Sequence, residues 1–222
     1  MALLVLGNVS ATYRDGAAET KVLHGLDLVL QCNETTSLMG RSGSGKSTLL
    51  GVIAGLIRPA SGSIAFDGVD VTALDEDGWG RLRAERIGYV LQSGNLVPFL
   101  TAAENVELAL QFVDRRGGRR RATALLGQLG LGHRREHYPR QLSGGEAQRV
   151  AVAIAMVNEP DLLLADEVTG ELDTASADAV MRMIFDAAAR SGLTVLFVTH
   201  SSELAAQASR RLLLTDGKAV AA

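Results

Sequence analysis

The chain has 222 residues, 47% of them hydrophobic and 21% charged, with a formal net charge of −3. That length suits one sizeable domain with a buried core, and that composition excludes a disordered chain. The charge argues against a general polyanion binder, and the single Cys32 rules out an internal disulfide and fits a reducing compartment.

The opening segment, Met1 to Gly7, is apolar but short and lacks the positive flank of a signal peptide, so it reads as a first strand. Short apolar runs at Leu3 to Leu6, Asn8 to Tyr13, Val22 to Leu23, Leu26 to Leu30 and Thr35 to Met39 predict a β-rich beginning. The last of these strands feeds Gly40-Arg41-Ser42-Gly43-Ser44-Gly45-Lys46-Ser47-Thr48, which fills every fixed position of the phosphate-binding loop template G-x-x-x-x-G-K-[ST]. Its glycines leave room for backbone N–H groups to turn onto phosphate oxygens, Lys46 adds a positive charge, and the Ser47 hydroxyl can ligand Mg²⁺. A helix from Lys46 to about Ile57 directs its positive end at the same place. A flexible Gly/Ser linker would have no need for Lys-Ser-Thr followed by an apolar helix.

A strand at Ser63 to Phe66 ends in an Asp-Gly turn, and a further strand within Ala84 to Leu91 delivers Gln92. From 93 the periodicity becomes helical. Thr101 with Glu104 forms a capping box at the start of one helix, and a helical subdomain is expected over 93–145. The arginine-rich stretch Asp114 to Arg121 reads either as a solvated connection or as a face for anionic lipid headgroups. After 146 the order is helix (Glu146 to Val157), strand (Leu162 to Ala165), helix (Ala175 to Ser191), strand (Leu193 to Val198), which predicts a parallel α/β sheet. The longest apolar run, Val150 to Val157, is far too short to cross a membrane.

Asp166 and Glu167 follow a buried strand, where open α/β sheets put their ligand sites. Asp166 can hold Mg²⁺ through water, and Glu167 is a candidate general base, although strand ends also carry solvated acids and helix caps. Ser143, Gly144 and Gly145 precede a helix and form a second anion-binding device; the same residues also read as an ordinary N-cap with Glu146 closing the box.

The stretch Leu142-Ser143-Gly144-Gly145-Glu146-Ala147-Gln148-Arg149 resembles the signature motif of ATP-binding-cassette ATPases, and the resemblance extends over essentially the whole chain. It implies an α/β P-loop NTPase fold with a parallel-sheet core, an N-terminal antiparallel β subdomain and an inserted α-helical subdomain. The core with its β subdomain would occupy 1–92 and 146–222, and the helical subdomain 93–145. It implies ATP and Mg²⁺ as ligands. Tyr13 resembles the aromatic that stacks on adenine, where a lone Tyr would otherwise be core packing. Gln92 resembles the glutamine touching the metal and the attacking water, Asp173 the aspartate that communicates between subunits, and His200 the switch histidine at the γ-phosphate.

In that family the signature loop of one subunit closes over the phosphate loop of another, so the resemblance implies a dimer, most simply a homodimer, with ATP between two half-sites. The segments Phe66 to Asp70, Val97 to Val106 and Leu164 to Gly170 resemble the branch serving lipoprotein release and macrolide export. This implies an integral membrane subunit with a large extracytoplasmic domain, a place at the cytoplasmic face of the inner membrane, and no nucleic-acid partner. A regulatory module gating a cell-envelope enzyme without transport is the alternative, and a soluble cassette acting on nucleic acid a third reading. The chain departs from the family at Val168, which replaces a proline and implies a looser loop, at Asn33, which replaces a turn glycine, at Ile154, which replaces an arginine, and at Glu171.

Overall fold

The computed structural model describes residues 1–15, 18–113, 118–170 and 172–221, with the side chains of residues 13–15, 18 and 19 outside that description. In chain order the elements are β1 (Ala2–Asp15), β2 (Ala18–Gln31), β3 (Thr35–Met39), α1 (Lys46–Ile53), β4 (Ser61–Phe66), β5 (Val69–Asp70), α2 (Glu76–Arg86) and β6 (Ile87–Val90). There follow α3 (Ala102–Gln111), α4 (Gly118–Gln128), α5 (Gly144–Met156), β7 (Leu162–Asp166), α6 (Thr174–Ser191), β8 (Thr194–Val198), α7 (Ser202–Ala206), β9 (Arg210–Thr215) and β10 (Lys218–Ala221). They form two compact units, 1–80 with 194–222, and 81–193.

The first unit carries an antiparallel sheet in the order β2-β1-β4-β5. The sequence breaks this region into four short runs, whereas the structure has two long strands. The register of β1 on β2 shifts between Leu6 and Val9, where Asn8 takes φ 51 and donates its N–H to Asp27 Oδ1 at 2.8 Å. A bulge bends a strand without ending it, so residues that look like punctuation lie inside the ladder. Leu4, Leu6, Leu28, Leu30 and Phe66 are buried in this sheet.

In the same unit β3 lies parallel to β8 (Thr36 opposite Leu196) and to β9 (Ser37 opposite Arg211), and β10 closes an antiparallel hairpin on β9. Helix α1 stops at Ile53, short of the expected Ile57. Gly55 there adopts φ 66, and a Cβ on it would lie 2.1 Å from the Trp79 ring, so the chain must leave the helix tightly against that indole. Trp79 belongs to α2, of which only Trp79 is buried; without an apolar stripe this helix gave no periodic signal. Helix α2 runs to Arg86, and the strand expected within 84–91 follows it directly as Ile87–Val90.

In the second unit β6 and β7 are parallel, Ile87 opposite Leu162 and Val90 opposite Ala165, and every residue of β7 is buried. Burial of Leu162, Leu163 and Leu164 contributes about 1.5–3 kcal/mol each. Helices α3, α4 and α5 enclose a core of Val106, Leu110, Leu126, Leu131, Val150 and Val157. Thr101 caps α3 with the full reciprocal box to Glu104. Among the described residues no helix is long and apolar enough to cross a membrane.

Candidate functional site

Two sets of side chains can be built from these elements, one in each unit. In the first, β3 runs into the loop Gly40 to Gly45 and α1 leaves it at Lys46. Gly40 has no room for a side chain: a Cβ there would lie 2.6 Å from the Leu214 carbonyl oxygen and 2.7 Å from Ser44 Oγ. Gly45 sits at φ 100 as the N-terminal flank of α1, where no side chain caps the helix and no acid occupies its first turn. The orphan N–H groups of that first turn are therefore open to an anion.

Lys46 is only 6% exposed, and its ammonium donates to the carbonyl oxygens of Gly40 and Arg41 at 3.1 Å each, holding it across the mouth of the loop. Ser44 Oγ is buried without a hydrogen-bond partner. A buried hydroxyl left unpaired is costly, and a phosphate oxygen is the partner that its surroundings suit. Ser47 and Ser42 are exposed, and Thr48 is buried. His200 follows β8 and is exposed; Thr199 before it donates its N–H to the Leu38 carbonyl at 3.3 Å, so β8 continues alongside β3 to the edge where the loop begins. The side chain of Tyr13 lies outside the described residues.

The second set stands at the carboxyl ends of β6 and β7, which share an edge because the strands are parallel. Asp166 ends β7 and is buried. Glu167 follows at φ 48, a left-handed conformation that costs a non-glycine residue about 1–2 kcal/mol. Gln92 Nε2 donates to Glu167 Oε2 at 3.5 Å, which brings together two residues 75 positions apart. Val168 is buried, and turn bonds from Gly170 N–H to Glu167 O (3.0 Å) and from Leu172 N–H to Thr169 O (3.2 Å) hold the loop in which the family would place a proline.

In the same unit Ser143 caps α5: Glu146 N–H donates to Ser143 Oγ at 3.2 Å, and Ser143 N–H donates to Glu146 Oε2 at 2.9 Å. The helix thus starts at Gly144 and not at Glu146. Ser143 and Gly144 are exposed, while a Cβ on Gly145 would come within 3.0 Å of Ser176 Oγ. Ser176 belongs to the first turn of α6, whose N-cap is Asp173, accepting from Ser176 N–H at 3.0 Å and Ser176 Oγ at 2.7 Å. These bonds hold the Asp173 carboxyl below its ordinary value.

Sequence reasoning missed two asparagines that shape the segment after Gln92. Asn95 Nδ2 donates to the Leu91 carbonyl at 2.7 Å while its Oδ1 accepts the Leu91 N–H at 2.8 Å. Asn105, 3% exposed, accepts the Val97 N–H at 2.7 Å and donates to the carbonyls of Val97, Leu100 and Thr101. An asparagine that replaces several backbone partners at once has no signature in hydrophobic periodicity; its only trace is a polar residue on the apolar face of α3.

The family profile described as ABC transporter matches residues 23–170. The chain belongs to the ABC transporter family. The lipoprotein-releasing system ATP-binding protein LolD of Shewanella frigidimarina is 44% identical over 218 residues, covering 97% of this chain and 91% of that protein. The macrolide export ATP-binding/permease protein MacB of Azoarcus is 43% identical over 99% of this chain but only 34% of its own length, so the chain spans about a third of such relatives. Among solved structures, the dimeric post-hydrolysis state of the ATP-binding cassette MJ0796 bound to ADP and Pi superposes with a TM-score of 0.91 at 38% identity, covering 98% of each chain. This cassette is therefore an ATPase of the lipoprotein-release and macrolide-export branch, with the P-loop NTPase fold.

Of the departures from the family pattern, Asn33 is readily accommodated, with φ 62 and its N–H donating to Thr194 Oγ1 at 3.0 Å. Ile154 packs against the helical core of the second unit, and Glu171 lies outside the described residues.

Proposed function

We propose that this cassette binds ATP with Mg²⁺, dimerises through the nucleotide and uses hydrolysis to drive a membrane subunit of the lipoprotein or macrolide export type. The observation that carries the reading is the phosphate loop itself: an uncapped helix N-terminus, no room for a side chain at Gly40, and a buried Ser44 hydroxyl without a partner. In this reading the N–H groups of Gly40, Ser42, Gly43, Ser44 and Gly45, with Lys46 and Thr48, hold the phosphates. Ser47 and Gln92 would supply oxygens to Mg²⁺, a cation that keeps several waters and needs few protein ligands, and Asp166 would hold it through such a water. Bound there, the metal would neutralise charge on the phosphate oxygens.

Glu167 takes the proton of the attacking water, Gln92 orients the Glu167 carboxylate through its amide, and His200 contacts the terminal phosphate. Ser143, Gly144 and Gly145 complete the partner subunit's site, with Asp173 beside them and Tyr13 against the base. The dimer rests on the family resemblance and on the solved relative described as a dimer. A membrane subunit with an extracytoplasmic domain and a place at the cytoplasmic face of the inner membrane follow from the same branch.

The test is a pull-down of tagged Glu167→Gln from detergent-solubilised native membranes with ATP and Mg²⁺, the companions being identified by mass spectrometry. Recovery of a membrane subunit with a large extracytoplasmic domain is the expected result. A clean dimer with bound ATP and no membrane companion overturns the transporter reading. Cargo that stays in place when the chain is deleted, with such a companion present, favours gating of an envelope enzyme.

A further inference from the structure

The first turn of α5 presents a contradiction to an incoming phosphate. Ser143, Gly144 and Gly145 offer a hydroxyl and helix N-terminal amides, yet Glu146, one residue on, adds a full negative charge to the same turn. The capping box explains why the acid is there. One carboxylate oxygen, Oε2, accepts the Ser143 N–H at 2.9 Å, and the helix dipole favours an anion at this end. A carboxylate that caps a helix nevertheless repels a polyphosphate brought to the same helix end.

The other oxygen is engaged from outside the helix. Arg134, in the turn Gly132–Arg134 before α5, donates Nε–H to Glu146 Oε1 at 2.8 Å. The Glu146 side chain is 12% exposed and that of Arg134 36%, so the pair is part-buried and is screened somewhat less than a fully exposed ion pair. His137 Nε2 lies 3.2 Å from the Arg134 guanidinium on its other side, which fixes the arginine in place. Ser143 Oγ accepts from Glu146 N–H within the box, and its hydroxyl also interacts with the Glu146 carboxylate, so serine and glutamate form one unit at the helix start.

We infer that Arg134 is a positioning residue for the signature loop: its guanidinium cancels the Glu146 charge and so leaves Ser143, Gly144 and Gly145 able to receive the phosphate of a nucleotide bound by the partner subunit. The inference rests on the proposed role of those three residues. It adds a residue outside the motif, from a different turn, whose contribution is charge balance at the loop and not contact with the ligand.

The test measures ATP-dependent dimerisation by sedimentation velocity in the Glu167→Gln background with Mg²⁺, titrating ATP. Arg134→Gln leaves an uncompensated carboxylate and should raise the ATP needed for half-maximal dimer about tenfold at low salt, with the deficit shrinking as ionic strength rises. Arg134→Lys keeps the charge and should stay within about threefold. The double variant Arg134→Gln/Glu146→Gln removes both charges while keeping an N3 side chain able to cap, and should return to within about threefold of the parent. A purely structural role would leave the double variant as weak as Arg134→Gln, and that result overturns the inference. Ser143→Ala separates the two levels. If it abolishes the dimer while Arg134→Gln has no effect, the charge-balance inference fails and the signature-loop reading stands. If Ser143→Ala dimerises like the parent, the reading fails and takes the inference with it.

Discussion

Replacing Glu167 by glutamine tests the chemistry with the least disturbance to the fold. Glutamine has the shape of glutamate, so the substitution keeps the half-buried position after β7 and the φ of 48 and changes only charge and basicity. The 3.5 Å contact from Gln92 Nε2 is long, and an amide oxygen at residue 167 can still accept it. Stability should therefore change by less than about 1 kcal/mol, which in a chain of this size moves the melting temperature by no more than about 4 °C. Loss of a general base costs about 10²–10⁴-fold in rate, or about 2.7–5.4 kcal/mol of barrier. The assay is phosphate release at saturating ATP and Mg²⁺, run beside ATP binding and sedimentation on the same preparation. The expected outcome is a collapse of turnover with ATP binding retained and a dimer that persists. Turnover within about threefold of the parent, in a folded variant, would refute the assignment of Glu167 as base.

Gly88→Ala should be harmful although the residue has no side chain to contribute to the chemistry: its Cβ would fall 2.2 Å from the Ala155 carbonyl oxygen, forcing β6 away from α5. A loss of about 1–3 kcal/mol, or about 2–12 °C in melting temperature, is expected, and an unchanged melt would show that the strand and helix are not so closely packed. Acid should unfold the cassette partly through Glu104, Glu146 and Asp173, whose carboxyls are held below their ordinary values of 4.5, 4.5 and 3.8 by capping hydrogen bonds from Thr101, Ser143 and Ser176. A carboxyl lowered in the folded state binds fewer protons there than in the unfolded chain. Its stabilisation is thus complete above the ordinary value and is lost as pH falls through the folded one. Asp173→Asn keeps an N-cap and loses the titration, so melting at neutral pH should barely move while the acid limb becomes shallower; an identical acid limb would remove Asp173 from that account.

Local chemistry made much of this protein legible. A strand, a glycine loop, Lys46 and an apolar helix are adjacent in sequence, so the phosphate loop could be read from residues 35–54 alone. The same holds for the boxes at Thr101 and Ser143, where donor and acceptor stand three residues apart and were found as expected. Local reading failed where a bulge disguised a long strand, as at Asn8 in β1, and where a helix such as α2 buries a single Trp79 and shows no stripe. The hairpin of β9 and β10 went unread for a related reason, since β9 is ordered by pairing with β3, and β10 by pairing with β9, and not by a strong pattern of their own.

What the sequence by itself determined is therefore the set of chemical groups and the local devices that present them: the loop, the acidic pair after β7, and the signature turn. Tertiary structure alone decided which distant groups meet. The Gln92 amide reaches Glu167 only because β6 and β7 are parallel neighbours, and Arg134 reaches Glu146 only because its turn folds back against the start of α5. Such contacts depend on loop closure and sheet pairing across long separations, which leave no periodic trace in the chain.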